Sequence, residues 1–388
     1  MNIPQGYKQT ELGIIPEDWE VKPIGECLSI GNGCDYKDKP FGNIPVYGTG
    51  GVITYINDYL YDGQTICIGR KGTINKPLYY EGKIWTVDTL YYTYNFIDVD
   101  VKYIYYLLLT IDWMSLNEAT GVPSLTSDRI RHILLALPPI AEQKAIAEAL
   151  SDIDGLIAVL DKKIAKKRLI KQGAMQQLLT GKKRLPGFSD PWVEKRLGDM
   201  GHLMNGYTFK SETYNLAGEF KIITIANVQS GYLMINACNR IIELPVDIQP
   251  HQMLKKGDIL ISMTGNVGRT CVVNQTKCLL NQRVGKFDID KDFISSQFLF
   301  ELLKNEHFEN AMIDAGQGAA QANIGKNDIE NYKCYVPRNK AEQKAIATIL
   351  NDMDKEIDDL EAQRDKYRLL KSGMMQKLLT GQIRLKIK

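Results

Sequence analysis

Histidine and cysteine, which supply many of the nucleophiles, general bases and metal ligands of proteins, are few and scattered in this chain. The four histidines stand far apart, at His132, His202, His251 and His307. None of them has the spacing of a metal site or of a catalytic triad. The seven cysteines form no CxxC pair: Cys27, Cys34, Cys67, Cys238, Cys271, Cys278 and Cys334. We therefore expect no metal site, zinc included, and reduced cysteines with mostly structural roles.

Glycine-rich segments such as YGTGG, GRKGT, TGNVG and AGQGAAQANIG would let the backbone approach a ligand closely. An ordinary turn is the simpler interpretation of any one of them. No GxxxxGK[ST] occurs, and no GxGxxG follows a predicted strand, so the sequence predicts no nucleotide cofactor. We expect no cofactor and no catalytic centre in this chain.

The 388 residues are too many for one ordinary domain, so two or more are expected. Hydrophobic residues make up 44% and charged residues 24%, as in soluble proteins. No apolar run has membrane-spanning length, and the N-terminus lacks the layout of a signal peptide. We expect a cytoplasmic protein.

The net charge of +2 does not by itself indicate a nucleic-acid-binding protein, but its distribution is uneven. Residues 1–140 carry 11 Lys and Arg against 16 Asp and Glu, and residues 186–337 carry 15 against 17. Residues 141–185 carry 10 against 5, and residues 338–388 carry 12 against 8. A nucleic-acid-binding face on the two acidic segments would have to be a local patch.

One segment occurs twice, 200 residues apart. Residues 141–185 and 341–385 agree at 25 of 45 positions without a gap, and both run from AEQKAIA to MQxLLTGxxRL. A proline before each copy predicts a helix start. Gly181 and Gly381 stand where a glycine cap ends a helix. Each copy is therefore predicted to be a helix of about 35–40 residues, or about 55 Å.

Apolar residues in both copies follow alternating steps of three and four, which indicates a coiled-coil seam. They are Leu150, Ile153, Ile157, Leu160 and Ile164 in the first copy, and Leu350, Met353, Ile357 and Leu360 in the second. The matching seams favour pairing of the two helices, although packing of each helix on its own domain is the commoner arrangement. Gly173 and Gly373 stand at equivalent places, where they mark either a bend or a close helix contact.

The segments outside these helices have diverged much further, although Trp19 and Trp192 open similar stretches. Short β-branched and aromatic runs bounded by glycine or charged turns predict strands, for example QTICIGRKG and DILISMTG. VKYIYYLLLT and SSQFLFELLKNEHFENAM are typical of helices. The chain is therefore predicted to be two units, each a variable α/β domain followed by a long helix.

The recurring segments resemble a known family. LPPIAEQKAIAEALSDIDGLIAVLDKKI, MQQLLTGKKRL and GIIPEDWEVKPIGE, with their recurrence, are similar to specificity (S) subunits of type I restriction–modification systems. The resemblance covers essentially the whole chain, and the doubled layout makes it specific. In that family each variable domain is a target recognition domain that reads one half of a bipartite DNA sequence.

The resemblance implies the fold class α+β with internal two-fold pseudosymmetry: two mixed α/β domains joined by two long antiparallel coiled-coil helices. It implies target recognition domains at 1–140 and 186–337, and spacer helices at 141–185 and 338–388. The implied partners are double-stranded DNA, two methyltransferase (M) subunits docked on the helices, and restriction (R) subunits. The partners resemble the enzymes, so this chain is expected to be non-catalytic.

Base readout favours polar and basic side chains on loops that can enter a DNA groove. Under the implied function the candidates in the first domain are Tyr47, Thr49, Arg70, Lys71, Thr73, Ser124 and Thr126. Those in the second domain are Asn205, Thr264, Asn266, Arg269, Gln317, Gln321, Asn323 and Lys326. Each could equally be an ordinary solvated loop residue.

For partner docking, Gln143, Lys144, Gln343 and Lys344 are expected to be exposed beside the coil. Ile146 and Ile346 fit equally well inside the chain. The acidic balance of the two domains predicts weak DNA binding by the chain alone, because phosphate neutralisation supplies much of the affinity. Two other hypotheses remain: an adaptor that binds proteins through both domains, and a DNA-modifying enzyme that acts alone, which the missing motifs disfavour.

Overall fold

The computed structural model describes residues 3–236, 238–316 and 322–385. The chain divides into two compact units. Unit 1 consists of Met1–Lys162 with Glu361–Lys388, and unit 2 consists of Lys163–Leu360. Both long helices therefore contribute to both units. The four segments predicted above follow sequence similarity instead, and their boundaries stay a prediction.

Unit 1 is built on a six-stranded sheet with the order β4-β9-β7-β8-β5-β6. Its elements are β1 (Tyr7–Thr10), β2 (Gly13–Pro16), β3 (Glu20–Pro23), α1 (Ile24–Cys27), β4 (Ser29–Asn32), β5 (Phe41–Gly48), β6 (Gly51–Ile56), β7 (Tyr61–Gly69), β8 (Leu78–Thr86), β9 (Leu90–Tyr94), α2 (Val101–Leu108), α3 (Ser127–Arg131), β10 (Leu134–Leu137) and the first part of α4 (Ile140–Leu178). Strands β1 and β2 form a hairpin, and β3 pairs with β10. The last part of α8 (Lys340–Leu378) completes the unit.

Unit 2 carries two four-stranded sheets, β12-β19-β16-β17 and β14-β13-β18-β15, and β11 pairs with β20. Its elements are β11 (Val193–Arg196), β12 (Gly201–Asn205), β13 (Phe220–Ile223), β14 (Asn239–Ile241), β15 (Met253–Leu254), β16 (Ile259–Ser262), β17 (Thr270–Val272), β18 (Cys278–Leu280), β19 (Val284–Ile289), α5 (Ser296–Leu303), α6 (Glu306–Ala315), α7 (Lys326–Glu330) and β20 (Lys333–Val336). Short 3₁₀ turns lie at Leu197–Asp199, Ser211–Thr213 and Pro250–Gln252.

The two units repeat one strand plan. Both contain one parallel strand pair among antiparallel neighbours, with Val46 opposite Trp85 in unit 1 and Ile222 opposite Leu279 in unit 2. In unit 2 a turn with Gly257 in the left-handed region (φ +93°) separates β15 from β16. The continuous strand β7 of unit 1 has no such break, so the single sheet of unit 1 corresponds to two sheets in unit 2. The predicted α+β class with a repeated domain is confirmed.

The core of each unit forms where one helix covers the sheet. In unit 1 the apolar side of α2 is buried, and Asp100 caps the helix by accepting a hydrogen bond from the Tyr103 amide at 2.9 Å. In unit 2 the helix α5 buries Phe298 and Leu299 in the same manner. The first turns of the long helices belong to these cores, since Ile146 and Ile346 are buried.

Each long helix has 39 residues, or about 58 Å at 1.5 Å per residue, as the sequence predicted. Within each unit the segments of α4 and α8 run antiparallel. In unit 1, Asp154 pairs with Lys371, and further along α4 Asp161 pairs with Arg364. In unit 2, Lys171 pairs with Asp354. No helix of the described residues is long and apolar enough to cross a membrane.

Most of the predicted seam positions are buried, and Ile157 and Met353 are half-buried. In unit 1 the side chains of Leu150, Ile153 and Leu160 are nearly inaccessible, and in unit 2 the same is true of Ile164 and Ile357. Apolar side chains at alternating steps of three and four line one stripe of a helix, so this spacing places them between the paired segments. The coiled-coil prediction is confirmed within each unit.

The C-terminal end of each copy of the repeated segment binds the N-terminal end of the other copy. In unit 1 the guanidinium of Arg384, just after α8, donates hydrogen bonds of 2.7 Å to both carboxylate oxygens of Glu142 in the AEQKAIA segment of α4. In unit 2 Arg184 binds Glu342 in the same way, at 2.7 and 2.9 Å. Both glutamates are 1% exposed. The repeat therefore encodes an ion pair that fastens the end of one helix to the start of the other.

Candidate functional site

Three loops meet at one end of the interior strands β7, β8 and β9 of the unit 1 sheet; we name them loop cluster 1, residues 70–73, 87–89 and 123–126. The amide of Gly72 donates to the carbonyl of Pro123 at 2.8 Å, and the amide of Leu125 donates to the carbonyl of Arg70 at 2.9 Å. Lys71 and Ser124 thereby pair as an isolated antiparallel bridge. Two stretches that lie more than fifty residues apart in sequence are held together by backbone hydrogen bonds.

Arg70 and Lys71 are exposed in this cluster. The Arg70 guanidinium lies 5.8 Å from the centre of the Tyr91 ring and donates to the Asp88 carbonyl at 3.3 Å. The backbone amide of Lys71 donates to the Thr89 carbonyl at 3.2 Å. These two residues provide positive charge on a unit whose overall balance is acidic.

The other five candidates of the first domain are less accessible or have structural roles, and Ser124 of the bridge is half-buried. Thr49, on the β5–β6 turn, lies against Gly72, where a Cβ would be 3.3 Å from the threonine hydroxyl. Thr73 is half-buried on the same loop as Gly72. Tyr47 is half-buried with its ring 5.5 Å from that of Tyr80, and burial raises the pKa of its hydroxyl. Thr126 caps α3 by accepting a hydrogen bond from the Arg129 amide at 3.2 Å, so its hydroxyl has a structural role.

Unit 2 contains a corresponding loop cluster 2, residues 263–268, 281–283 and 322–326. The hydroxyl of Thr264 donates to the side-chain oxygen of Asn323 at 2.8 Å, and the two residues form a backbone bridge. Asn266 and Asn323 are exposed, and Thr264 is half-buried. Lys326 begins α7, and its ammonium lies 3.5 Å from the Glu330 carboxylate.

Two further candidates of the second domain, Arg269 and Asn205, lie outside loop cluster 2. Arg269 donates to the side chain of Gln229 at 3.0 Å and lies 3.6 Å from the Glu309 carboxylate, so its charge is used within the unit. Asn205 ends β12, and its carbonyl accepts from His251 at 3.1 Å. Gln317 and Gln321 lie outside the residues that the structure describes.

The two clusters are equivalent position by position. Leu125 donates to the carbonyl of Arg70 at 2.9 Å, and Ile324 donates to that of Met263 at the same distance. Gly72 donates to Pro123 at 2.8 Å, and Gly265 donates to Ala322 at 2.9 Å. The bridge Lys71–Ser124 thus corresponds to the bridge Thr264–Asn323. One backbone frame presents different side chains in the two units.

Four exposed residues in or beside the two clusters were missed by sequence reasoning: Asn32, Asp88, Gln282 and Arg283. Asn32 corresponds to Asn205, since each precedes a glycine whose Cβ would clash with a neighbouring backbone carbonyl, at 2.0 Å for Gly33 and 2.2 Å for Gly206. The only sequence signal was the shared Asn-Gly of IGNG and LMNG, which is too short to interpret alone. The other three lie on turns whose equivalence appears only in the hydrogen bonds.

The expected exposure of Gln143 and Gln343 is wrong, because the side chains are 2% and 0% accessible. The side-chain nitrogen of Gln143 donates to the Pro138 carbonyl at 2.9 Å, and the side-chain oxygen of Gln143 accepts from the backbone N–H of Asp100 at 2.9 Å. Gln343 binds Pro337 and Ser295 in the same way, at 2.8 and 2.7 Å. Both glutamines satisfy backbone groups where helix and sheet meet. Lys144 and Lys344 are exposed, as expected.

A second pair of equivalent surfaces lies on the long helices. On α4, Leu169 is 69% exposed and Ile170 is 46% exposed; on α8, Leu369 is 76% and Leu370 is 48% exposed. Gly173 and Gly373 follow one helical turn later, and a Cβ at either would meet nothing within 4 Å. We name these surfaces helix patch A (Lys166, Leu169, Ile170, Gly173) and helix patch B (Lys366, Leu369, Leu370, Gly373).

No group of acidic, histidine or cysteine side chains in the described parts of the chain could hold a metal ion. All seven cysteines are free thiols, and burial raises the pKa of Cys67 to about 12. Such a thiol stays protonated and is a poor nucleophile.

Comparison with known proteins places both units in one family. The family model for the type I restriction modification DNA specificity domain matches residues 16–167 and 189–367. The chain is 28% identical over 424 residues to the type I restriction enzyme MjaVIII specificity subunit of Methanocaldococcus jannaschii, with 98% of this chain and 97% of the relative covered. It is 21% identical over 421 residues to the EcoBI specificity subunit of Escherichia coli, with 95% and 86% covered.

Solved structures show the same fold at low sequence identity. The S subunit of a type I restriction–modification system from M. genitalium superposes with a TM-score of 0.68 at 14% identity, covering 100% of this chain and 99% of that one. A chain solved in work on complex assembly and conformational transition of the type I R-M system gives a TM-score of 0.56 at 14% identity, with 95% and 99% covered.

Proposed function

Because this chain belongs to the type I restriction–modification DNA specificity family, we propose that it selects the DNA sequence on which such a complex acts. Loop cluster 1 reads one half of a bipartite, asymmetric site in double-stranded DNA, and loop cluster 2 reads the other half. Methylation and cleavage belong to partner subunits, so the chain itself is non-catalytic. It works in the cytoplasm, where a bacterial or archaeal chromosome is accessible.

One observation carries this proposal: the two clusters share a backbone frame and differ in the side chains that they present. The bridge that carries Lys71 and Ser124 in unit 1 carries Thr264 and Asn323 in unit 2. Base edges are distinguished by the donors and acceptors that meet them. Two copies of one frame with unlike donors and acceptors suit two half-sites of unlike sequence.

We further propose that helix patches A and B each dock one methyltransferase subunit, and that restriction subunits join this core. The patches repeat the pattern K-x-R-L-[IL]-K-x-G, so they offer two equal partners the same surface. A glycine inside a helix costs about 1 kcal/mol relative to alanine, and a Cβ at either glycine would meet none of the described residues within 4 Å. A partner helix that approaches closely would require it. The lysine at the start of each patch favours a partner helix with an acidic edge.

DNA selection by the assembled complex tests the first proposal. The complex of this chain with its methyltransferase partner is incubated with random duplexes, and the bound fraction is sequenced. Two fixed segments separated by a constant stretch of unspecified bases are expected. Enrichment of a single continuous segment, or of none, contradicts the proposal.

Paired substitutions test the docking proposal. Leu169→Glu together with Leu369→Glu is expected to abolish co-purification of the methyltransferase subunit, and either change alone should halve its stoichiometry. Val159→Glu is the matched control, because Val159 is 63% exposed on α4 but its repeat partner is Asp359. Retention of two partner subunits by the double variant contradicts the docking surface and leaves the DNA-reading proposal intact.

A further inference from the structure

Two three-residue turns occupy the same place in the two loop clusters. Residues 87–89 join β8 to β9, and residues 281–283 join β18 to β19. Each is a β-turn closed by a hydrogen bond of 2.9 Å, from Leu90 to Val87 in unit 1 and from Val284 to Asn281 in unit 2. The central residues of the turns are therefore Asp88–Thr89 and Gln282–Arg283.

Three further pairs of hydrogen bonds hold both turns in the same frame. Thr89 accepts from Arg70 at 2.9 Å, as Arg283 accepts from Met263 at 3.0 Å. Val87 donates to Tyr47 at 3.0 Å, as Asn281 donates to Ile223 at 3.2 Å. Cys34 donates to Thr86 at 2.9 Å, as Tyr207 donates to Leu280 at 2.8 Å. The backbone of each turn is fixed from three sides, which is the rigid support that side-chain readout needs.

The side chains on this common backbone differ in chemical class. Asp88, Gln282 and Arg283 are exposed, and Thr89 is half-buried. A carboxylate accepts hydrogen bonds only, an amide both accepts and donates, and a guanidinium donates only. We propose, on the basis of the function proposed above, that these two turns are the specificity determinants of the half-sites. Asp88 accepts from the exocyclic amine of cytosine or adenine in one half-site, and Gln282 with Arg283 reads purine edges in the other.

Readout of a base amine accounts for the carboxylate of Asp88 at the centre of this turn. A carboxylate repels phosphates, so its presence there weakens binding to every sequence equally unless a base amine meets it. It also rejects guanine and thymine, which present oxygen acceptors at the same place in the major groove. The guanidinium of Arg70 donates to the backbone carbonyl of Asp88 at 3.3 Å and not to its carboxylate.

Gln282 is oriented before DNA arrives. The hydroxyl of Thr208 donates to the Gln282 side-chain oxygen at 2.6 Å, and the backbone N–H of Gln282 donates to the Tyr207 carbonyl at 3.0 Å. The Gln282 side-chain nitrogen is left to donate, and its oxygen keeps one lone pair. That arrangement fits the N7 acceptor and N6 amine of adenine. The neighbouring Arg283 provides the fork of donors that guanine accepts.

Each unit provides a control for the other. Complexes with wild-type chain, Asp88→Asn or Gln282→Ala are compared by genome-wide mapping of methylated adenines and by competition binding on the mapped site. Asp88→Asn is expected to relax one base pair, or two adjacent ones, in one half-site, and Gln282→Ala to do so in the other half-site only. Discrimination at the affected position should fall by about tenfold or more, as for loss of one good base contact.

Two further measurements separate readout from structure. Thr208→Val should weaken discrimination at the position that Gln282→Ala affects, because it removes only the orienting hydrogen bond. Asp88→Asn should relax discrimination without weakening binding to unrelated DNA, because it removes a charge that repels phosphates, whereas Lys71→Ala should weaken binding to every sequence and reduce the slope of its salt dependence. Unchanged thermal unfolding of the exposed-turn variants confirms that the fold is intact.

The possible failures are distinguishable. A wild-type complex without any bipartite motif would contradict the proposed function itself. A wild-type bipartite motif that both turn variants leave unaltered, or a uniform loss of binding with the same motif, would overturn the assignment of the turns and leave the proposed function standing.

Discussion

The ion pair between Arg384 and Glu142 should be the most sensitive point of unit 1. Glu142 is 1% exposed, and Arg384 donates to both of its oxygens at 2.7 Å. The same guanidinium also binds both oxygens of Asp18, at 2.8 and 2.7 Å, and these hydrogen bonds hold the pKa of Asp18 below its ordinary value. Arg384→Ala removes the end of the chain from its anchor and leaves a buried carboxylate without its cation.

The loss of stability in Arg384→Ala follows from the few hydrogen-bond partners that Glu142 keeps. Trp19 still donates to it at 3.3 Å, but among the described residues Glu142 has no ion pair other than that with Arg384. Removing one partner of a buried pair costs about 3–5 kcal/mol. Because the Arg384 side chain is 38% exposed, water can reach the vacated space, and we expect the lower end, about 3 kcal/mol. For a unit of this size that corresponds to a melting temperature lower by about 6–12 °C.

Thermal unfolding of the full chain, followed by calorimetry, measures the effect, and protection of residues 379–385 from proteolysis locates it. Arg368→Ala is the control: its guanidinium lies 3.4 Å from Asp161 at the surface, and such exposed pairs contribute about 0–1 kcal/mol. If Arg384→Ala and Arg368→Ala shift the melting temperature equally, the buried pair does not fasten the helix end and the reasoning fails.

Three further predictions concern the described scaffold. Gln343→Leu should destabilise unit 2 by about 1–3 kcal/mol, because it removes the hydrogen bonds to the Ser295 amide and the Pro337 carbonyl. As a control, Lys344→Ala at an exposed position should change the free energy of unfolding little. Equal effects of the two substitutions would contradict this prediction. Burial opposes ionisation of Asp354, but hydrogen bonds from Lys171 and Lys304 outweigh it and lower its pKa. A carboxylate whose pKa is lowered by folding stabilises the folded chain above its unfolded pKa of about 3.9, and this contribution is lost as the pH falls through the folded pKa. The free energy of unfolding of the wild type should therefore fall more steeply than that of Asp354→Asn between about pH 5 and 3. Parallel curves of unfolding free energy against pH would refute this. Gly173→Ala together with Gly373→Ala should stabilise the free chain by about 1 kcal/mol per site and weaken binding of the methyltransferase subunit; a variant that binds its partner as well as wild type would leave the glycines unexplained.

The long helices could be predicted from sequence because their signals are local. Helix start, apolar spacing and glycine cap all lie within 45 consecutive residues, and Gly181 and Gly381 adopt the left-handed conformation expected of caps, with φ of +69° and +70°. In the AEQKAIA segment of the first copy, the sequence predicts Gln143 and Lys144 to be exposed for partner docking. The structure shows instead that Glu142 and Gln143 serve the chain's own interior.

The candidate sites were harder to predict because they depend on long-range backbone pairing. Lys71 and Ser124 were both selected as loop residues, but nothing in the sequence indicates that they pair. Asp88 was overlooked because an acidic residue contradicts the general expectation for a DNA contact. Its place at the centre of a turn equivalent to 281–283 follows from hydrogen bonds between strands distant in sequence, which no local pattern encodes.

Genome-wide mapping of methylated adenines tests the central claim most directly. Cells that lack adenine methylation receive the methyltransferase subunit with this chain, or the methyltransferase subunit alone. The account predicts that only the pair methylates adenines, and that they fall in one bipartite motif with two unlike half-sites and a constant gap. Methylation without this chain, or with it in no common motif, would contradict the claim that the chain selects the DNA sequence.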